Sequence, residues 1–341
     1  MKNTTKSGLI VLILLIIGIV SYTAFTIIKD KDVSSKVTAS SSSYRVAENS
    51  SNYDPVAARK YKHKFIAALY IEGTIAEANQ SYNQKWLMDT VKALKENDKN
   101  EALAVFINSP GGAVYQADEL YLAFQDYKTT GRPVYIYQGS MAASGGYYIS
   151  CAGNKIYANR NTLTGCIGVI MGSSYDLTGL FEKLGIKSTT IHSGKNKNMM
   201  NYNEPFTDEQ KAIMQSICDE CYEQFVSIVA KCRGINYNAC CELSDGRLYT
   251  AKQALDLHLI DAIDSWDNML YDLAEKELKK PGIKVIPYKY QRKPQSLYDV
   301  LTGKALEIEN AKAAAELGVP VEVIKSMNDN GSSMIPMYLA Q

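Results

Sequence analysis

Apolar positions fall along this chain in three patterns: one long unbroken run, several short runs, and stretches with helical spacing. The long run, residues 8–28 (GLIVLILLIIGIVSYTAFTII), holds 21 residues without a charge. As a helix it measures about 30 Å, the thickness of a bilayer's hydrocarbon core. The short runs 65–71 (FIAALYI), 103–107 (LAVFI) and 133–137 (PVYIY) read as buried strands, with shorter strands near 155–158 and 167–171. Leu87, Val91 and Leu94 have helical spacing and place a helix over 86–97; others follow over 116–127 and 145–151. A long helix is expected over 207–233. Thr207 and Gln210 form a capping box after Pro205, and Gly234 supplies the stop. Residues 242–278 carry another turn and helix, and a stretch containing Pro and Lys follows Lys280. Strands alternating with helices imply right-handed βαβ units, a mostly parallel sheet and an α/β fold.

Lys2, Lys6 and the free amine precede the long run, whereas Lys29, Asp30, Lys31 and Asp32 cancel after it. That asymmetry puts residues 1–7 in the cytoplasm and the rest of the chain outside, with 8–28 as a single-pass anchor. The rival reading is a cleaved signal peptide, which calls for a shorter apolar stretch and a small-x-small site; Ser21-Tyr22-Thr23 matches that poorly. Eight serines between Ser34 and Ser51, without apolar periodicity, make 29–61 a flexible tether. A folded domain is expected over 62–280, followed by a C-terminal extension over 281–341, flexible or self-binding. Across 341 residues, 37 Lys and Arg face 36 Asp and Glu, giving a formal charge of +1. Such a balance argues against a protein held to nucleic acid mainly through phosphates, and rules out an acidic disordered chain.

Seven cysteines are an odd number for a disulfide framework. Cys218, Cys221 and Cys232 share a helix face with Ile213, Ile217, Phe225 and Val229, as small apolar core residues do. One mid-helix CxxC without a second is a weak metal signal. The pairing of adjacent Cys240 and Cys241 stays open. His63, His192 and His258 are the only histidines, none with a carboxylate at suggestive spacing, so a Ser-His-Asp enzyme or a zinc hydrolase is not expected. Neither a metal nor a cofactor is implied.

Three polar segments can carry chemistry. Ser109-Pro110-Gly111-Gly112 closes a strand and opens a helix, and its unhindered N–H groups suit a developing oxyanion as well as a tight turn. No Walker-type Gly-Lys-Ser/Thr follows it. In 139–146 (GSMAASGG), Ser144 sits among Ala and Gly at a strand-to-helix transition, with the next N–H, on Gly145, at a helix N-terminus. That placement fits an acyl-transfer nucleophile, and also an N-cap serine in a small-residue contact. About fifty residues on, 193–198 (SGKNKN) offers Lys195 and Lys197. Taken alone these are solvated; a desolvated lysine amine, however, can serve a serine as general base.

Together and in order, INSPGG, MAASGGYY, TGCIGV and SGKNKN resemble the signal peptide peptidase A family, over roughly residues 65–277. YIEGTI at the front and GRLYTAKQALDLHLID at the back extend the likeness. The resemblance implies a ClpP/crotonase-like core of repeated ββα/βαβ units behind an N-terminal transmembrane helix, and a membrane-anchored serine endopeptidase with a Ser-Lys dyad. It implies Ser144 as nucleophile and Lys197 as general base, with Lys195 the alternative. Gly112 and Gly145 would donate the oxyanion hole. The family's TGSIGV serine bonds the catalytic lysine; this chain has Cys166 there, a weaker hydrogen-bonding group, with the Thr164 hydroxyl as a substitute if it faces inward.

Implied substrates are residual signal peptides and other apolar peptides at the membrane, cut by a homo-oligomeric ring; in related enzymes Ser and Lys can come from neighbouring subunits. Rival readings are a protease for specific membrane proteins, a crotonase-type acyl-CoA enzyme, and a non-catalytic peptide-binding ring scaffold. The uncharged tail 334–341 (MIPMYLAQ) itself looks like such a peptide, and is read either as a groove-binding self-inhibitor, a trimmed end or a disordered terminus.

Overall fold

A computed structural model of the chain describes residues 61–290 and 337–339. The apolar run 8–28, the tether up to residue 60 and most of the C-terminal extension lie outside the described residues. Among the described residues no helix is long and apolar enough to cross a membrane.

The centre is a sheet of eight described strands. β1 (Phe65–Glu72) lies parallel between β2 (Asn100–Ser109) and β9 (Lys284–Lys289). Both faces of β1 are covered, which explains its unbroken apolar run rather than an alternating one. Phe65, Ala67, Leu69 and Ile71 face the main core, and Ile66 and Ala68 a second cluster on the opposite face. β4 (Val134–Ala143) follows β2 in parallel. On its far side β4 is shared: its first half pairs with β5 (Lys155–Ala158), its last three residues with β6 (Leu163–Gly165). β7 (Leu248–Thr250) runs antiparallel to β6, and β8 (Ala262–Ile263) extends β5.

Helices α1 (Gln84–Glu96), α2 (Val114–Lys128) and α3 (Gly145–Ser150) pack on the main face. The long α5 (Asp208–Arg233) has both ends as the sequence predicts. The Thr207 hydroxyl accepts from Gln210 N, the Gln210 side chain accepts from Thr207 N, and Gly234 closes the helix in the left-handed region. Burial on α5 differs from expectation. Phe225, Val226 and Val229 are in the core, but Ile217 is exposed, and Cys218 and Cys221 are only half-buried. Among the described residues its first half therefore lacks the cover the pattern suggests. None of the seven cysteines is in a disulfide, and Cys151 and Cys240 are the fully buried ones.

Three further differences bear on the site. β4 runs to Ala143, well past the expected Tyr137, so the small residues 139–143 are strand and deliver Ser144 directly. The strand expected over 167–171 is displaced to Leu163–Gly165, because Gly165 and Cys166 both take positive φ (79° and 52°) and turn the chain out of the sheet. β9 lies in the stretch beyond Lys280, where the sequence suggests no strand; its Pro287 forgoes one N–H on a strand that, among the described strands, pairs with β1 alone.

Between β6 and α5 the chain leaves the core as an arm. Over residues 171–206, including the short helix α4 (Thr178–Lys183), Asn198 alone is buried, and Ile191 is 97% exposed. The arm holds itself together locally: Leu177 N–H bonds the Tyr202 carbonyl, the Phe181 and Tyr202 rings meet edge-on, and Asn203 bonds Ser188 and Thr190.

Candidate active site

Ser144 occupies the one-residue corner between β4 and α3. Its backbone, φ 53° and ψ −115°, lies where a residue with a Cβ is strained. Three constraints hold it there. Its N–H donates to the Gly165 carbonyl (2.7 Å), its carbonyl accepts from Tyr148 N–H (2.8 Å), and Ala142, Ala143 and all of α3 are buried on either side. Gly146 permits this close packing: a Cβ there would stand 3.1 Å from the Ser109 carbonyl oxygen. The Ser144 side chain is buried, and its Oγ has no hydrogen-bond partner among the described residues. A buried hydroxyl left unbonded costs about 1–3 kcal/mol, so its persistence marks a site built for something other than stability.

Gly111-Gly112-Ala113 forms a short strand, β3, beside this corner. On one side Ile75 N–H donates to the Gly111 carbonyl (2.8 Å), and Ala113 N–H to the Ile75 carbonyl (2.9 Å). By strand alternation the N–H and C=O of Gly112 then point the opposite way. Any side chain at Gly112 would force β3 to shift, because a Cβ would lie 1.9 Å from the Ile75 oxygen. Opposite Gly112 stands Tyr338, in a tail strand β10 (Met337–Leu339) that runs antiparallel to β3. The other edge of β10 is fixed by Ile170, whose N–H and C=O both pair with Met337 (3.0 and 2.9 Å). A peptide segment thus lies as an extended strand between β3 and Ile170.

The strand ends are tied by groups that the sequence pattern does not announce. Asn108 Oδ1 accepts from the Ser140 hydroxyl (2.7 Å) and from Met141 N–H (3.2 Å), across the register shift between β2 and β4. Ser109 Oγ accepts from Gly111 N–H (3.1 Å) and shapes the turn into β3. In the sequence, Asn and Ser before Pro-Gly-Gly look only like part of a breaker. The Tyr148 hydroxyl donates to Asp118 and accepts from Gln224, which fastens α3 to α2 and α5.

Other sequence-predicted residues are less well gathered. Gly145 follows Ser144 as the first residue of α3, and the β3 strand that carries Gly112 packs against α3. Thr164 is buried, but its hydroxyl donates to the Ala142 carbonyl (2.8 Å), so it has no proton to offer a lysine. Cys166 is half-buried, and burial pushes its thiol pKa up. Lys197 is exposed on the arm, bonded through its backbone to Gly194, and the structure shows no contact between it and Ser144. Lys195 is exposed too and is paired with Glu209. The three histidines are all exposed. Among the described residues no group of three or more His, Cys, Asp or Glu is arranged to hold a metal.

A strained hydroxyl-bearing corner beside an edge that holds an extended peptide is the equipment of a peptide-cleaving enzyme. Residues 126–280 match the peptidase family S49 model. A protein of Enterococcus faecium, provisionally named signal peptide peptidase SppA, is 36% identical over 234 residues, 67% of each chain. The chloroplastic serine protease SPPA of Arabidopsis thaliana is 29% identical over 234 residues, 68% of this chain and 34% of that protein. Protease 4 of Haemophilus influenzae is 29% identical over 207 residues, 59% of this chain and 33% of that protein. This chain belongs to the signal peptide peptidase A family, peptidase family S49, and is a protease with a mixed α/β fold.

Proposed function

We propose that this protease is a membrane-anchored serine endopeptidase with a ClpP/crotonase-like core, which cuts residual signal peptides and other apolar peptides outside the cytoplasm. The observation that carries the reading is Ser144: a strained, buried residue whose Oγ is unpartnered among the described residues, beside an edge already holding an extended chain. The substrate lies where β10 lies, between β3 and Ile170, its main chain paired and its side chains alternating between the two faces. An apolar, uncharged tail in that position supports the substrate class, and the tail acts as a competing self-ligand.

In the first step Ser144 Oγ attacks the peptide carbonyl carbon while its proton passes to the Lys197 amine. The oxyanion is held by the N–H groups of Gly112 and Gly145, fixed before the charge develops. Lys197 then gives the proton to the departing amine, and the acyl group stays on Ser144. Water, deprotonated by the same amine, attacks the ester and releases the acid. A lysine works as this base only when drawn out of water. In one chain Lys197 is solvent-exposed, so the dyad is completed between neighbouring copies of a homo-oligomeric ring, Ser144 from one and Lys197 from the next.

The test compares the full chain with Ser144→Ala and Lys197→Ala on an apolar signal-peptide-like substrate. Both variants should be folded and inactive. Retained activity in Lys197→Ala with loss in Lys195→Ala would move the base two residues; an inactive wild type would favour the peptide-binding scaffold.

A further inference from the structure

Three parallel strands begin side by side at one edge of the sheet: Phe65 of β1 is in register with Asn100 of β2 and with Lys284 of β9. The chain around the starts of β1 and β9 carries Lys62, Lys64, Lys279, Lys280 and Lys284. A pocket of about 410 Å³ opens there, lined among others by His63, Lys64, Lys280, Gly282 and Lys284. We propose that this basic edge is a docking face for a membrane surface of anionic phospholipids, its lysines meeting headgroup phosphates. The proposal rests on the membrane-anchored reading above and adds which face of the domain turns to the bilayer.

Charge is the first argument. The whole chain carries a formal charge of only +1, so a concentration of one sign has to be local. Glu101 takes both Lys64 (3.0 Å) and Lys280 (2.5 Å). Lys62, Lys279 and Lys284 are exposed, without an ion pair among the described residues. Five lysines against that one carboxylate leave a local excess of four positive charges. Nearby carboxylates are already engaged, Asp98 with Lys99 and Glu277 with the Tyr135 hydroxyl (3.0 Å). Among the described residues lining the pocket none is acidic. The second argument is backbone. Lys279 follows the π-helix Asp272–Glu277 and its cap Leu278 in the left-handed region (φ 54°), where Gly or Asn is the ordinary choice. Leu278 and Lys280 N–H groups bond the Leu273 and Ala274 carbonyls (2.9 and 2.8 Å), which fixes the turn. A long charged side chain is thus kept where the backbone favours none.

Position is the third argument. The chain enters β1 at this edge through Tyr61 and Lys62, and Arg59 and Lys60 directly precede them in the sequence. On the reading of 29–61 as a tether, its average reach is about 30 Å, which keeps the edge in range of the bilayer. Each lysine brought within a Debye length of an anionic surface, about 8–10 Å, raises residence there about fivefold. The nucleophile lies at the other end of the sheet. β2 covers about 30 Å from Asn100 to Ser109, and β4, parallel to it, ends at the Ser144 corner. Docking by the basic edge therefore turns the catalytic end away from lipid, toward peptides that have left the bilayer rather than spans still embedded in it.

The experiment reconstitutes the full chain in lipid nanodiscs of phosphatidylcholine alone, and of phosphatidylcholine with about 30% phosphatidylglycerol. Lysine amines are acetylated briefly with a water-soluble active ester and mapped by mass spectrometry. In the anionic discs at about 0.05 M salt, Lys62, Lys279 and Lys284 should be labelled about threefold or more slowly than in the neutral discs, and about 0.5 M salt should erase the difference. Exposed Lys211 and Lys252 should be labelled alike in both. Combining Lys62→Glu, Lys279→Glu and Lys284→Glu should remove the lipid-dependent protection of Lys64. The same variant should cleave a soluble peptide in detergent at the wild-type rate, with its fold checked by far-ultraviolet circular dichroism. Equal labelling in the two discs overturns the docking face and leaves the anchor standing. A chain that stays with discs of neither composition overturns the anchor, and the docking face with it. Protection already present in detergent makes the edge a contact between copies, and protection brought about in detergent by inorganic phosphate makes it a small-anion site; either result overturns the lipid assignment.

Discussion

Replacing Ser144 by glycine should give a more stable protein than replacing it by alanine, although both variants lose the hydroxyl. The comparison isolates the backbone, because Ser and Ala carry the same Cβ through φ 53° and ψ −115° while Gly has none. A residue held in such a region stores about 1–3 kcal/mol. Against that, glycine loses about 0.5–1 kcal/mol more than alanine through the greater freedom of its unfolded chain. Glycine should therefore exceed alanine by about 1 kcal/mol, or roughly 2–4 °C in Tm for a domain of this size. Strain can persist because the surroundings do not move: the Gly165 and Tyr148 bonds are 2.7 and 2.8 Å, and α3 is buried over its whole length. The assay is urea unfolding of both variants at one protein concentration, with a thermal scan beside it. A glycine variant equal to or less stable than the alanine variant would refute the claim that the corner is strained, and with it the reading of Ser144 as a position kept for chemistry.

Further outcomes follow from neighbouring groups. Gly112→Ala puts a Cβ 1.9 Å from the Ile75 oxygen, so the β3 edge must shift; loss of a fixed oxyanion donor should lower kcat by about 10²–10³, read in steady-state peptide cleavage. Cys166→Ser supplies a better hydrogen-bonding group beside the corner and should leave activity equal or higher; a large loss would give the thiol a positive role. Deleting residues 334–341 should raise the initial rate on an added peptide, since β10 occupies the β3 edge; unchanged rates would remove the self-ligand idea. Glu101 sits in a pocket whose burial pushes its pKa up, but hydrogen bonds from Lys280 and Lys64 outweigh this and hold it below the usual carboxylate value. Its contribution is then present above the ordinary carboxylate pKa and fades as pH falls through the lowered one. Glu101→Gln should therefore cost about 1 kcal/mol or less near pH 7 and progressively less under acid, measured by denaturant unfolding across pH 2–7.

Local chemistry makes much of this molecule legible in its residues alone. Thr207, Gln210 and Gly234 state both ends of α5 outright, since capping is decided by residues in contact along the chain. The apolar runs at β1 and β2 are too short and too continuous for a helix face, and the small residues around Ser144 mark its corner. What escapes is decided by distant partners. β9 is a strand because β1 has an open side, not because KVIPYK is strongly strand-like. The displaced β6 depends on positive φ at Cys166, which no apolar pattern announces. Cys218 and Ile217 follow the core's spacing yet lie open, because periodicity names a face and not what covers it. The same limit applies to Ser144 and Lys197: their types and order are readable, whereas the exposure of Lys197 on an arm that leaves the core is set by packing that no local pattern announces.

The central claim is that Ser144 is an activated nucleophile, and covalent labelling tests it most directly. The full-length protein is treated with a phosphonyl fluoride that reacts with activated serines, then digested and mapped by mass spectrometry. A single adduct on the peptide containing Ser144, absent in Ser144→Ala and strongly reduced in Lys197→Ala, is the predicted result. An unlabelled Ser144 in an assembled wild-type protein, or an adduct on another serine that survives Ser144→Ala, would contradict the account.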